Sequence, residues 1–110
     1  MKIIKKLLIT LSILFSMSSL AFADQAAVNS AQETIGHVEQ ALVEIDQSDF
    51  STANLHLKAA RASSTKITGN EAIIKQANDS IVQGQIESKK GDVASSTALL
   101  KKGIELYKSL

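Results

Sequence analysis

The chain has 110 residues, 12 of them basic and 11 acidic, with no cysteine, no proline, no tryptophan and 4% aromatic residues. Without cysteine there is no disulfide framework, no thiolate metal site and no cysteine nucleophile. A formal charge of +1 is far from the strongly basic footprint of a nucleic-acid-binding surface.

The first element in chain order reads as an export signal covering residues 1–23. Lys2, Lys5 and Lys6 precede a short apolar run, Leu7 to Phe15, after which Ser16 to Ala23 become small and polar. Ala21-Phe22-Ala23 offers small residues at both positions that a signal peptidase reads. The run is shorter than the ~20 apolar residues of a membrane-spanning helix, so cleavage after Ala23 is expected, with no stable membrane anchor left behind. Loss of this segment takes away three lysines and no acid, which leaves a net negative domain at residues 24–110 in a bacterial periplasm.

Four helical segments follow, each with apolar or small residues at alternating steps of three and four. The first carries Val28, Ala31, Ile35, Val38, Leu42 and Ile45, and the second Phe50, Ala53, Leu57, Ala60 and Ser64, then Ile67. Ile74, Ala77, Ile81 and Gly84 mark the third; Val93, Ser96, Leu100, Gly103, Tyr107 and Leu110 mark the fourth. Such a step keeps one seam facing partner helices. Ser48-Asp49 and Lys90-Gly91-Asp92 punctuate the breaks, with Asp49 and Asp92 as expected N-caps. Thr68 to Glu71 and Ser30 to Glu33 have capping-box spacing. The short connections predict an all-α, up-down-up-down four-helix bundle.

The two halves resemble each other. Ile35 and Leu42-Val43 align with Ile74 and Ile81-Val82 at an offset of 39, whereas Asp49-Phe50 and Leu57-Lys58 align with Asp92-Val93 and Leu100-Lys101 at 43. Two related helical hairpins are therefore expected, with one helical turn inserted near Gln85 to Lys89. Leu42, Leu57, Ile81 and Leu100 are the expected core anchors. Leu55, Ile86, Leu99 and Leu106 widen the apolar stripe and read as further core. Because the seam is rich in alanine, serine and glycine, burial per helix is small and stability is expected to be limited.

Catalytic signatures are missing: no GxSxG elbow, phosphate-binding glycine loop or HExxH helix occurs, so a non-enzymatic protein is expected. His37 and His56 are the conventional nitrogen ligands for a transition metal. Glu33 lies one turn before His37 and Glu44 two turns after it, while Asp49 lies two turns before His56.

His37-Val38-Glu39-Gln40-Ala41, the stretch Asp49 to Lys58, and Ile74-Lys75, Asp79, Ile81, Gly91, Val93, Thr97 and Ile104-Glu105 resemble the small metal-binding protein family. The resemblance covers roughly Ile35 to Ser109. It implies an exported four-helix bundle binding a divalent transition metal (copper, nickel or zinc) as a scavenger or chaperone. His37 and His56 match histidine positions of that family, but Glu44, Asp49, Ser63, Gln76, Gln83, Asp92, Leu99 and Leu106 replace others. The resemblance therefore implies weak metal binding at His37, His56, Glu44 and Asp49. An envelope structural or protein-interaction module, with an envelope protein as partner, is the alternative.

Overall fold

The computed structural model describes residues 22–110, with side chains from Ser30 onward. The expected export signal falls almost wholly outside these residues. Four helices follow one another: α1 (Phe22–Asp46), α2 (Phe50–Ser64), α3 (Glu71–Lys89) and α4 (Val93–Lys108). Each packs on the next, and α4 closes the ring against α1; the α1–α2 and α3–α4 hairpins are the extensive interfaces. This is the up-down-up-down bundle of two related hairpins that the seam spacing predicts.

The hairpin turns share one construction. After α1, the Asp49 N–H donates to the Glu44 carbonyl at 2.8 Å and the Ser48 N–H to the Ile45 carbonyl at 2.9 Å. After α3, Asp92 and Gly91 repeat both bonds onto Glu87 and Ser88 at 3.0 and 2.9 Å. These paired bonds form a Schellman stop, which needs a left-handed residue just past the helix. Ser48 takes that role at φ 62° and Gly91 at φ 79°. The next residue, Asp49 or Asp92, then caps the following helix by accepting the N–H of Thr52 or Ser95. That backbone bond to Ser95, reinforced by its hydroxyl, holds the Asp92 carboxyl below its ordinary range.

Since a serine resists positive φ and a glycine does not, Ser48→Gly is expected to stabilise the first hairpin by up to about 1 kcal/mol. The check is a rise in the urea midpoint, and a fall would show that Ser48 makes a contact the turn geometry does not require.

The matched turns also revise the repeat. Burial follows a uniform shift of 43: Thr34, Val38, Ala41 and Ile45 are buried, as are Ala77, Ile81, Gly84 and Ser88. No turn is inserted near Gln85 to Lys89. An α-helix looks nearly the same after a shift of four residues, so the apolar seam fits at 39 as well as at 43. The turn bonds allow only the second.

The core consists of Val38, Ala41, Ile45, Ala53, Leu57, Ala60, Ile67, Ala77, Ile81, Leu100, Ile104 and Tyr107. Leu57, Ile81 and Leu100 are anchors as expected. Leu42 is only half-buried, and Val38 and Ile45, both fully buried, take its place. Leu106 packs against the core, but Leu55 is 64% exposed and Ile86 41%, so neither belongs to it. Four helices in a ring cover only a limited arc of each neighbour, and these two residues lie beyond that arc. The expected capping boxes also differ. Asn70 caps α3 by accepting the N–H groups of Ala72 and Ile73, and α1 runs unbroken through Ser30.

Small polar side chains share the interior. Thr34 and Ser63 hydrogen-bond across the first hairpin at 2.6 Å, and the Ser80 hydroxyl donates to the Leu99 carbonyl at 2.9 Å. Between the hairpins, Arg61 donates to Gln85 Oε1 at 2.9 Å while Gln85 Nε2 donates to Asn54. The buried Tyr107 hydroxyl donates to Asn78, and burial raises its pKa. Ser88 Oγ has no hydrogen-bond partner among the described residues. A buried orphan hydroxyl costs about 1–3 kcal/mol, so Ser88→Ala is expected to raise the thermal midpoint, corresponding to about 1 kcal/mol. A lowered midpoint would mean that the hydroxyl is satisfied in solution.

Candidate metal centre

The long α1 carries two of the four expected ligands, α2 carries one, and the turn between them supplies Asp49. His37 is half-buried on α1, and its Nε2 lies 3.7 Å from Glu33 Oε2, one turn earlier. The i,i+4 spacing puts both side chains on one face, where a carboxylate and an imidazole can present an oxygen and a nitrogen to one cation. Helical spacing alone brings the Glu33 carboxylate beside the His37 imidazole.

His56 is half-buried on α2. Under the uniform shift of 43, His37 and His56 correspond to Ser80 and Leu99 of the second hairpin. There the Ser80 hydroxyl reaches the Leu99 carbonyl, so these positions adjoin across the α3–α4 groove. The same groove, about 270 Å³, is lined by Gln76, Asp79, Ser80, Gln83, Leu99 and Lys102. Its counterpart in the first hairpin would be lined by Glu33, Gly36, His37, Gln40, His56 and Ala59.

The two remaining expected ligands are placed differently. Both carboxylate oxygens of Asp49 are engaged as a cap, accepting the Thr52 N–H at 3.1 Å and its hydroxyl at 2.9 Å. Glu44, half-buried near the end of α1, gives its backbone carbonyl to the Schellman turn. Among the described residues, no three His, Cys, Asp or Glu side chains converge as a metal-holding group. Asp49 serves as the expected N-cap, each of its carboxylate oxygens accepting one bond from Thr52.

Among the described residues no helix is long and apolar enough to cross a membrane. In comparisons with protein families, curated proteins and solved structures, nothing matches this chain.

Proposed function

We propose that the protein is an exported, non-enzymatic helical bundle that binds a divalent transition metal weakly, with His37 as the principal ligand. The observation that carries this reading is the Glu33–His37 pair at 3.7 Å on an accessible helix face. His56 is the second ligand, reached by rotation of two half-exposed imidazoles across the α1–α2 groove. A tight site needs three or four converging ligands. Two histidines and one carboxylate that are not pre-arranged give a weak one, completed by water. The resemblance to the small metal-binding protein family points the same way and supplies the periplasmic setting.

Calorimetric titration of the purified protein with copper, nickel and zinc ions tests this. Binding is expected in the micromolar range or weaker, and it should fall at least about tenfold in His37→Ala, a loss of about 1.4 kcal/mol. Binding that survives His37→Ala/His56→Ala unchanged would remove the ligands proposed here, and no heat with any of the three ions would end the metal reading.

A second reading rests on Leu55 and Ile86, which are too exposed for ordinary core. It makes the bundle an interaction module of the envelope. Loss of a cross-linked envelope partner in Leu55→Ser or Ile86→Ser, with the melt unchanged, would favour it.

A further inference from the structure

The outer face shared by α2 and α3 is built from one short pattern used twice. On α2, Asn54 stands at the seam, Leu55 follows it and Lys58 lies one turn on. On α3 the same places belong to Gln85, Ile86 and Lys89. Gln85 donates to Asn54, which pins the two helices together at these positions. One step along a helix turns a side chain by about 100°, so the residue after each seam residue swings outward and the lysine falls between the two. Leu55 is 64% exposed and Ile86 41%, and both lysines are exposed as well.

Arg61 closes the seam by donating to Gln85 Oε1, and the Gln85 side chain is buried beneath it. A bridged seam presents a filled surface rather than a slot for a partner's side chain. The charge on this surface has one sign. Helix α2 contains Lys58 and Arg61 and no acid, and among the described residues neither they nor Lys89 belongs to an ion pair. The nearby acids are engaged or distant. Asp49 is turned back onto Thr52, Asp79 is paired with Lys75 at the α3–α4 groove, and Glu87 is paired with Lys90. Glu71 opens α3 about 22 Å along the axis from Ile86. Helix α1, by contrast, carries Glu33, Glu39, Glu44 and Asp46 with no lysine or arginine.

We infer that the α2–α3 face docks on an anionic membrane surface. Leu55 and Ile86 enter the headgroup layer, while Lys58, Lys89 and the remaining Arg61 donors meet lipid phosphates. A planar array of phosphates matches a filled face that carries cations of one sign and two projecting aliphatic tips. A protein partner would instead need a slot to grip, and the bridged seam supplies none. The acids of α1 are repelled by the same surface and keep that helix turned away from it. Each cation close to an anionic leaflet strengthens binding about fivefold, and two aliphatic side chains give a peripheral, reversible attachment. The inference does not depend on metal binding and is measured without metal; it gives the interaction-module reading a lipid partner in place of a protein.

Co-sedimentation with lipid vesicles is the measurement. It uses protein recovered after export, with its mass confirming loss of residues 1–23, since an uncleaved apolar leader would itself bind lipid. Vesicles of equal parts phosphatidylglycerol and phosphatidylcholine are expected to bind it at least about tenfold more tightly than phosphatidylcholine alone. Added salt should release it. Lys58→Gln/Lys89→Gln is expected to weaken binding at least about tenfold, and Leu55→Ser/Ile86→Ser to weaken it as well. Lys101→Gln/Lys102→Gln removes the same charge from α4 and should change binding by less than about twofold. All six positions are exposed, so thermal melts should match the parent; a pair with a shifted melt is replaced by its single substitutions, about fivefold being expected for each lysine of the face. Absence of binding, equal binding to both kinds of vesicle, or equal losses in the two lysine pairs overturns the proposal. A cross-linked protein partner that depends on Leu55, while vesicles go unbound, overturns it too and leaves the interaction-module reading standing.

Discussion

Leu100→Ala is expected to destabilise the bundle by about 3 kcal/mol, within the 2–5 kcal/mol span for deep leucine truncations. Leu100 is fully buried and seats directly on Gly84: a methyl group built there would lie 2.6 Å from Leu100 Cδ2 and 2.8 Å from Cγ. Its one-turn seam neighbours on α4 are Ser96 and Gly103, and Gly84 faces it, none with the side-chain length to close a cavity. The loss is a large share of the ~5–15 kcal/mol that holds a typical domain together. With a urea slope of roughly 1 kcal/mol per molar for a chain of this size, the midpoint should fall by about 2–3 M. A fall under about 0.5 M would show that the hairpins close up around the missing side chain.

The second large effect concerns the other half of the same contact. Gly84→Ala gains about 1 kcal/mol of helix propensity, whereas overpacking a filled core costs about 1–3 kcal/mol. The cost wins, because the obstructing Leu100 Cγ is held near its own helix and cannot swing away; a net loss of about 1–2 kcal/mol is expected. Gly103→Ala should lose less. Its nearest obstacle is Ile81 Cδ1 at 2.5 Å, a flexible tip, with Cγ1 at 3.1 Å. Gly36→Ala serves as the control, having nothing within 4 Å, and it is expected to stabilise. In the Leu100→Ala background the obstruction at Gly84 is gone, so Gly84→Ala should become stabilising there. Chemical denaturation of the four proteins of this cycle reads the coupling directly. Additive effects would mean that Gly84 and Leu100 do not form one packing unit.

The seam of small residues thus has a specific consequence. Glycine at 84 and 103 stands where the first hairpin has Ala41 and Ala60, which lets Leu100 and Ile81 press against opposing backbone in the second hairpin. Sequence spacing identified these positions as seam, but which side chain fills each notch depends on helix separation, a property of the packed pair. Likewise His37 could be read as an accessible histidine with Glu33 one turn away, since helical geometry sets that relation locally. Whether His56 stands beside it depends on how α1 and α2 are registered, and local geometry does not carry that.

Asp49 makes the same division visible at a single residue. Its position before a helical segment was enough to assign a cap, because the cap is a bond to a residue three places on. That both carboxylate oxygens take part, one on the Thr52 N–H and one on its hydroxyl, is visible only in the packed turn.

By itself the sequence determined the four helices, their turns and most of the core, because helical period and capping chemistry act over four or five residues. Tertiary structure decided the uniform register of the repeat and the exposure of Leu55 and Ile86. Each of these depends on rotation or sliding of one helix against another. A period of 3.6 residues leaves such shifts nearly degenerate until the Schellman turns at Ser48 and Gly91 pin the ends.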